Sequence, residues 1–350
     1  ESKKRKKISL MEYLFIIGRT SELCQAELES VLRKNNINYQ VVYSSAEVFH
    51  LKTETELDTD FLIKTLGGTI KIAKVFTTLK TIDQKKIVDG AIRILNHLPA
   101  DVTHQALQAG VQNDGAKKTL NFGFSGYGDI HYNDLYHCSV EVKDNLEKEN
   151  LKIRFILPKG ELSLSSVVVK KQHLTEIILS QEDEKLILAQ TLEIQDFEDW
   201  GRRDFGRPCS DPHAGMLPPK VARMMVNLAI SSIQDRNENM TTILDRKVVL
   251  DPFCGVGTIL AEAMTMGYEV VGTDMSEAAI QKSQKNLEWL KANYQFPMTN
   301  FQLFQMDATH ISEKIAQESV DAIVTEPYLG PAEWGRRLEI KNMILGLDKL

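Results

Sequence analysis

The stretch Val248-Val249-Leu250-Asp251-Pro252-Phe253-Cys254-Gly255-Val256-Gly257-Thr258-Ile259-Leu260 constrains the fold of this chain more than any other. Val248 to Leu250 is a short apolar run of the kind that a buried parallel strand requires. Gly255 and Gly257 permit positive φ and let backbone approach a ligand closely. Thr258 opens a helix that stops near Gly267. Strand, glycine turn and helix in that order put free helix N–H groups at the carboxyl ends of the strands, where open α/β sheets bind ligands. Residues 268–273 read as a second strand, and Asp274 ends it nineteen positions after Gly255. An acid at that offset accepts hydrogen bonds from ribose hydroxyls. The turn lacks the third glycine of G-x-G-x-x-G, so a cofactor with a ribose and no phosphate fits better than a nicotinamide dinucleotide. The bland alternative is a strand–turn–helix that binds nothing.

The length of 350 residues predicts two or three domains. Apolar residues at 43% and charged residues at 26% are ordinary for a soluble protein. No apolar run reaches membrane-spanning length and no secretory signal is visible, so a cytoplasmic protein away from membranes is expected. Cys24, Cys138, Cys209 and Cys254 form no C-x-x-C pair. They predict neither a disulfide framework nor a zinc site, and no metal is expected. A net charge of −6 argues against non-specific coating of nucleic acid but leaves room for a local basic patch.

Lys3-Lys4-Arg5-Lys6-Lys7 reads as a nuclear address, an RNA-binding tail or a solvated end. Strands at 13–17, 39–43, 48–51 and 70–79, with a helix at 60–66, predict a small ferredoxin-like α+β unit over residues 1–80. A second α+β unit is expected over 81–180. Its helix from Asp83 carries Ile87, Ala91, Ile94 and Leu95 on one side, and its helix 134–149 carries Leu135, Cys138, Val142 and Leu146. Strands are expected at 119–125, 152–157 and 164–170. Residues 181–206 read as a linker, with strand character at 187–192, and 207–350 as the α/β domain.

The composition shifts sharply at Asp199-Trp200-Gly201-Arg202-Arg203-Asp204-Phe205-Gly206-Arg207-Pro208. Arg202, Arg203, Arg207, Lys220 and Arg223 outnumber Asp204 and Asp211. Such a cluster can contact phosphates, with Trp200 and Phe205 stacking on an exposed base. It can equally pair with Asp204 and Asp211 and fix the domain junction. Gly215-Met216-Leu217-Pro218-Pro219 is a glycine turn leading into a helix start that runs to about Ile233. A helix at 276–291 and a third strand at 301–305 follow, with Asp307 at the strand end as ligand acceptor or helix cap. A fourth strand at 322–325 leads into Glu326-Pro327-Tyr328-Leu329-Gly330-Pro331.

Asp251-Pro252-Phe253-Cys254-Gly255-Val256-Gly257-Thr258 resembles motif I of the S-adenosylmethionine-dependent methyltransferases, in the form used by RNA and DNA base methylases. The run from Arg203 through Pro208, Asp211, Gly215, Leu217, Pro218, Pro219 and Arg223 to Asn227 resembles the segment before motif I in THUMP-containing tRNA guanosine-N2 methyltransferases. Phe122 to Ser125, Val142 to Leu146, Ile153 to Phe155 and Ser165 to Val167 are arranged similarly to a THUMP domain, an RNA-binding module preceded in its family by a ferredoxin-like unit. The implied fold is α/β: a Rossmann-like methyltransferase domain behind ferredoxin-like and THUMP-like units. Only four strand candidates precede Leu350, and the chain starts at Glu1, so both ends read as trimmed and the methyltransferase domain as incomplete at its C-terminal end.

The resemblance implies S-adenosyl-L-methionine as cofactor. Gly215, Leu217 and Pro218 would close over its methionine part. Asp251, Pro252, Phe253, Cys254, Gly255, Gly257, Thr258, Asp274 and Met275 would line the cradle, and Asp307 with Ala308 would meet the adenine amino group. Amino-group methylases carry D/N-P-P-Y/F after the fourth strand, which implies catalytic roles for Glu326, Pro327 and Tyr328. Here the acid is one methylene longer and an aromatic ring comes one residue early. Arg202, Arg203, Arg207 and Lys220 are the implied RNA contacts. The implied reaction is methylation of the exocyclic N2 amine of a tRNA guanosine, at position ten, with tRNA and a small activator subunit as partners. A DNA amino-methyltransferase and a non-catalytic RNA-binding protein that keeps the cofactor fold are the alternatives.

Overall fold

The computed structural model describes residues 10–97, 119–211, 216–234, 247–294 and 300–327. The basic run at residues 3–7 lies outside them. The chain forms two compact units. The first comprises Glu1–Gln25, Ile37–Lys64 and Thr69–Phe197, and the second Ala26–Asn36, Thr65–Gly68 and Glu198–Leu350.

The elements of the first half are β1 Met11–Ile17, α1 Ser21–Lys34, β2 Tyr39–Ser44, β3 Val48–Thr53, α2 Thr59–Thr65, β4 Thr69–Leu79, α3 Gln84–Asn96, β5 Thr119–Tyr127, α4 Tyr132–Lys148, β6 Lys152–Phe155, α5 Ser166–Lys171, β7 Thr175–Glu182 and β8 Lys185–Ile194. The strands make one eight-stranded sheet in the order β2-β3-β1-β4-β8-β7-β5-β6. Its pairs are antiparallel except β5 with β6 and β5 with β7. A single sheet therefore crosses residue 80, where the sequence suggests a boundary. The physical reason is β8, which lies in the expected linker 181–206. It pairs with β4 on one side and with β7 on the other, so it joins the strands of both halves. Ile87, Ala91 and Ile94 of α3 pack with Leu135, Val142 and Leu146 of α4 on Phe122, Phe124, Ile177 and Leu188. The strand expected at 164–170 is instead the short helix α5. Ser165 holds extended φ/ψ and caps it by accepting from Val168 N at 3.3 Å, and this local cap overrides the strand preference of three consecutive valines.

The second unit contains α6 Phe197–Phe205, α7 Pro219–Gln234, β9 Val248–Asp251, α8 Thr258–Thr265, β10 Glu269–Asp274, α9 Glu277–Asn293, β11 Phe301–Gln305, a 3₁₀ helix Ala308–Glu313 and β12 Ala322–Ile323. Phe197 itself is assigned to the first unit. The sheet order is β11-β10-β9-β12, all parallel. The chain first winds outward from β9 through β10 to β11, then returns to place β12 on the other side of β9. The switch point of this doubly wound sheet is therefore the gap between β9 and β12. Val249, Ile259, Leu260, Ala263, Val270, Leu287 and Leu290 form the core under it.

Two early segments belong to this unit. Glu27 is fully buried and accepts from Gly67 N and Gly68 N, each at 2.8 Å, and from Asn227 Nδ2 at 2.6 Å. Burial pushes its carboxyl up to about 7. Lys34 Nζ donates to the Tyr268 hydroxyl at 2.8 Å.

Candidate functional site

The turn after β9 is built by backbone bonds that only a narrow geometry allows. Cys254 N donates to Thr273 O at 2.9 Å and Gly257 N to Cys254 O at 2.7 Å. The Thr273 hydroxyl donates to Pro252 O at 2.9 Å. Gly255 and Gly257 sit at φ +51° and +83°, where side chains are disfavoured. Their surroundings differ. A Cβ on Gly257 would stand 2.4 Å from the Ser283 hydroxyl, whereas one on Gly255 would meet nothing within 4 Å. Gly257 serves close packing, and Gly255 faces open space at the strand ends.

Asp274 closes this cradle. Its Oδ2 accepts from Gly255 N at 3.0 Å and its Oδ1 from Ser276 N at 2.8 Å. Each carboxylate oxygen has a second lone pair for a ligand hydroxyl. Met275 next to it is 69% exposed. Phe253 and Pro252 are half-buried, and Cys254 is buried, which pushes its thiol pKa upward, with Asp251 and Asp274 adding to the shift.

Asp251 ends β9 and is 2% exposed. Its Oδ1 accepts from Phe253 N at 3.1 Å and from the Thr325 hydroxyl at 2.7 Å. Burial first, then the charges of Asp274 and Glu326, push its carboxyl up to about 7 despite those two hydrogen bonds. Glu326 is exposed and Pro327 half-buried just past β12. Tyr328 and Gly215 lie outside the described residues.

Asp307 caps the 3₁₀ helix. Its Oδ1 accepts from Thr309 N at 2.9 Å and from the Thr309 hydroxyl at 2.7 Å, and these bonds hold its carboxyl below the usual carboxylate range. Ala308 is the first residue of that helix. Pro218 O accepts from Val221 N and Ala222 N, starting α7, and Leu217 packs against the core of the unit.

The basic cluster divides. Arg202 is exposed, but Arg203 is buried, and for Arg203 the expected phosphate contact is corrected. It pairs with Asp199 and, through Nε at 2.8 Å, with Glu262, and its guanidinium lies 4.2 Å from the Trp200 ring centroid. Arg223 meets the other oxygen of Glu262 at 2.9 Å. A buried charge needs a partner, and an acid inside an otherwise apolar helix turn supplies it for both arginines. Arg207 is half-buried. It donates to the Thr258 hydroxyl at 2.6 Å and to Met216 Sδ at 3.4 Å, so it braces the helix start of the cradle. Burial depresses its pKa. The Lys220 ammonium lies 5.8 Å from the Trp200 ring, which is itself buried, while Phe205 is 87% exposed. The pairing alternative therefore holds for Arg203, although the acids are Asp199 and Glu262; Asp211 pairs with Lys282 at 2.6 Å.

Sequence reasoning passed over Thr325, Glu262 and Asn286. Asn286 binds Cys209 through both N and O and also caps Val256 O at 2.9 Å, which anchors the turn from behind. A polar residue inside a run of apolar ones was the available signal for Glu262. Thr325 carried none beyond standing before Glu326.

Among known families, a methyltransferase-domain model matches residues 243–343, and a DNA methylase model matches 119–285. The chain is 34% identical over 149 residues to a tRNA (guanine(10)-N2)-dimethyltransferase of Methanothermobacter thermautotrophicus, covering 42% of this chain and 38% of the relative. It is 33% identical over 129 residues to the protein of the same name from Pyrococcus abyssi, covering 37% of this chain and 31% of that one. It thus spans well under half the length of these relatives. A solved structure described as a predicted N6-adenine-specific DNA methylase from Listeria monocytogenes superposes with a TM-score of 0.51 at 12% identity, over 98% of this chain and 86% of its own. That likeness concerns the fold. The second unit has a Rossmann-like α/β fold, residues 243–343 match a methyltransferase-domain model, and the chain is similar to proteins named tRNA (guanine(10)-N2)-dimethyltransferase. No helix among the described residues is long and apolar enough to cross a membrane.

Proposed function

We propose that this methyltransferase-bearing chain transfers a methyl group from S-adenosylmethionine to the N2 amine of a guanosine in tRNA, at position ten as in the names of its relatives. The single observation that carries the reading is the cradle at the switch point. An open-faced Gly255, a strand-end Asp274 with spare lone pairs and a buried Asp251 stand together at the carboxyl ends of β9 and β10. The donor set fits the cofactor. Asp274 suits ribose hydroxyls, and Asp251 suits an ammonium. Pro252, Phe253, Cys254, Gly257, Thr258 and Met275 would form the walls, with Gly215, Leu217 and Pro218 over the methionine part. Asp307 and Ala308 would face the adenine. The bound cofactor supplies an electrophilic methyl group.

The chain's own part is positioning. Glu326, at the end of β12, accepts a hydrogen bond from the target amine and turns the nitrogen lone pair toward the methyl carbon. Pro327 fixes the backbone behind it and Tyr328 stacks on the base. The base must leave its stack to reach this depth. Arg202 and the exposed Phe205 remain the candidate RNA contacts of the basic cluster, and Lys220 joins them at its edge. The THUMP-like strands and helices of the first unit are proposed as the tRNA-holding part. A small activator subunit and a cytoplasmic setting complete the reading.

Incubation of the chain with methyl-labelled cofactor and unmodified tRNA, and in parallel with unmethylated DNA, followed by nucleoside identification, tests it. Label in N2-methylated guanosine is expected. The DNA methylase family match favours a second reading, an amino-methylase of DNA. Label on a DNA base amine, and none on tRNA, would replace the first reading with that one.

A further inference from the structure

The gap between β9 and β12 is bridged by one side-chain contact that joins the two turns of the site. Thr325 precedes Glu326 directly, and its hydroxyl donates to Asp251 Oδ1 at 2.7 Å. Phe253 N donates to the same oxygen. Oδ2 of Asp251 takes no hydrogen bond from any described residue, although the side chain is almost wholly buried. Leu250 O also accepts from Val324 N at 2.9 Å, so backbone and side chain hold the two strand ends in one register. Asp274 and Glu326 are the other charged groups facing Asp251, with the Cys254 thiol beside it.

We propose that Thr325 is a positioning residue for the cofactor: it fixes Asp251 through Oδ1, leaves Oδ2 to receive a ligand ammonium, and locks the Glu326 turn to the glycine turn. The inference rests on the proposed cofactor site and adds to it a residue outside the glycine turn. The donors that a buried carboxylate accepts from fix which of its oxygens faces a ligand. Here the backbone amide alone would hold it weakly, and the hydroxyl supplies the second donor. The hydroxyl also favours the charged form of Asp251, against burial and two neighbouring acids.

Two ligands separate this role from a structural one. S-adenosylhomocysteine carries the amino-acid ammonium, and 5′-methylthioadenosine keeps the nucleoside and lacks it. Titration calorimetry of both ligands against the parent chain, Thr325→Val and Thr325→Ser is the test. Thr325→Val is expected to weaken S-adenosylhomocysteine about tenfold, in line with a lost hydrogen bond to a charged group, and to leave methylthioadenosine unchanged. Thr325→Ser should restore the parent affinity. Affinity for S-adenosylhomocysteine should fall as pH drops through the titration of Asp251, and in Thr325→Val that fall should begin at higher pH. Equal weakening of both ligands, unchanged affinity in Thr325→Val, or no rescue by serine would overturn the proposal. If the parent chain binds neither ligand, the cofactor reading itself fails and this inference falls with it. If the parent binds and Thr325→Val matches it, this inference alone falls.

Discussion

Glu176 in the first unit and Asp251 in the second are both buried carboxylates on strands, yet their surroundings are opposites. Glu176 Oε1 accepts from Lys71 Nζ and the Ser125 hydroxyl, each at 2.5 Å, and its Oε2 accepts from the Thr191 hydroxyl at 2.7 Å. Lys71 also reaches Leu164 O at 2.6 Å, so the whole cluster is satisfied by the chain. Among the described residues, Asp251 is met on one oxygen only and by no cation. A buried acid with both oxygens engaged holds strands together. A buried acid left half-engaged at a strand end, beside a second acid and a glycine turn, keeps acceptor capacity that the described residues do not use. Glu262 in the second unit belongs to the first kind, since both its oxygens are taken by arginines.

The largest effect expected from this contrast is on stability. Lys71→Met removes the cation from a satisfied cluster and leaves Glu176 buried without it, which costs about 3–5 kcal/mol. Chemical denaturation should show that loss, while S-adenosylhomocysteine affinity stays at the parent value. A loss of affinity as large as the loss of stability would mean that the cluster is not merely structural.

Glu326→Ala comes next. It removes the proposed acceptor for the target amine, and turnover should fall by on the order of 10²–10³. Cofactor affinity should change little, because Gly255 and Asp274 are untouched. Single-turnover methyl transfer at the parent rate would exclude Glu326 as the amine acceptor.

Asp274→Ala should lower cofactor affinity by about 1–3 kcal/mol, through lost hydrogen bonds to ribose and a lost partner for Gly255 N. Calorimetry reads this directly, and an unchanged affinity would remove Asp274 from the cradle. The smallest effect belongs to Asp307→Ala, an exposed cap whose loss costs about 1 kcal/mol of local stability. Any additional loss of cofactor affinity would separate a ligand role from the cap.

Much of the second unit was legible because its signals are local. Residues 301–305 carry three apolar side chains in a short run, and β11 spans Phe301–Gln305. Ser276 caps α9, accepting from Ala279 N at 3.3 Å, as a serine before an acidic first turn indicates. What the sequence could not show is long-range pairing. β8 carries strand character, but only its partners β4 and β7 turn an expected linker into the middle of a sheet. Glu27 sits in an ordinary amphipathic helix, and its partners Gly67, Gly68 and Asn227 are forty to two hundred positions away. The arginines after Trp200 could be read either as phosphate contacts or as partners of Asp204 and Asp211, because Glu262, which pairs with Arg203 and Arg223, lies beyond the glycine turn. Charge composition reports how many ions a segment carries and says nothing of which ones are covered.

The most direct test of the cofactor site is a calorimetric titration of S-adenosylhomocysteine into the parent chain and into Gly255→Val. A side chain at Gly255 would occupy the space beside Asp274 where its Cβ meets nothing within 4 Å, at a φ of +51° that itself disfavours valine, whereas the interior packing behind Gly257 is left alone. The account predicts one-site binding by the parent chain and no measurable binding by Gly255→Val, with the variant's unfolding transition retained. Equal binding by both chains, or no binding by the parent, would contradict it.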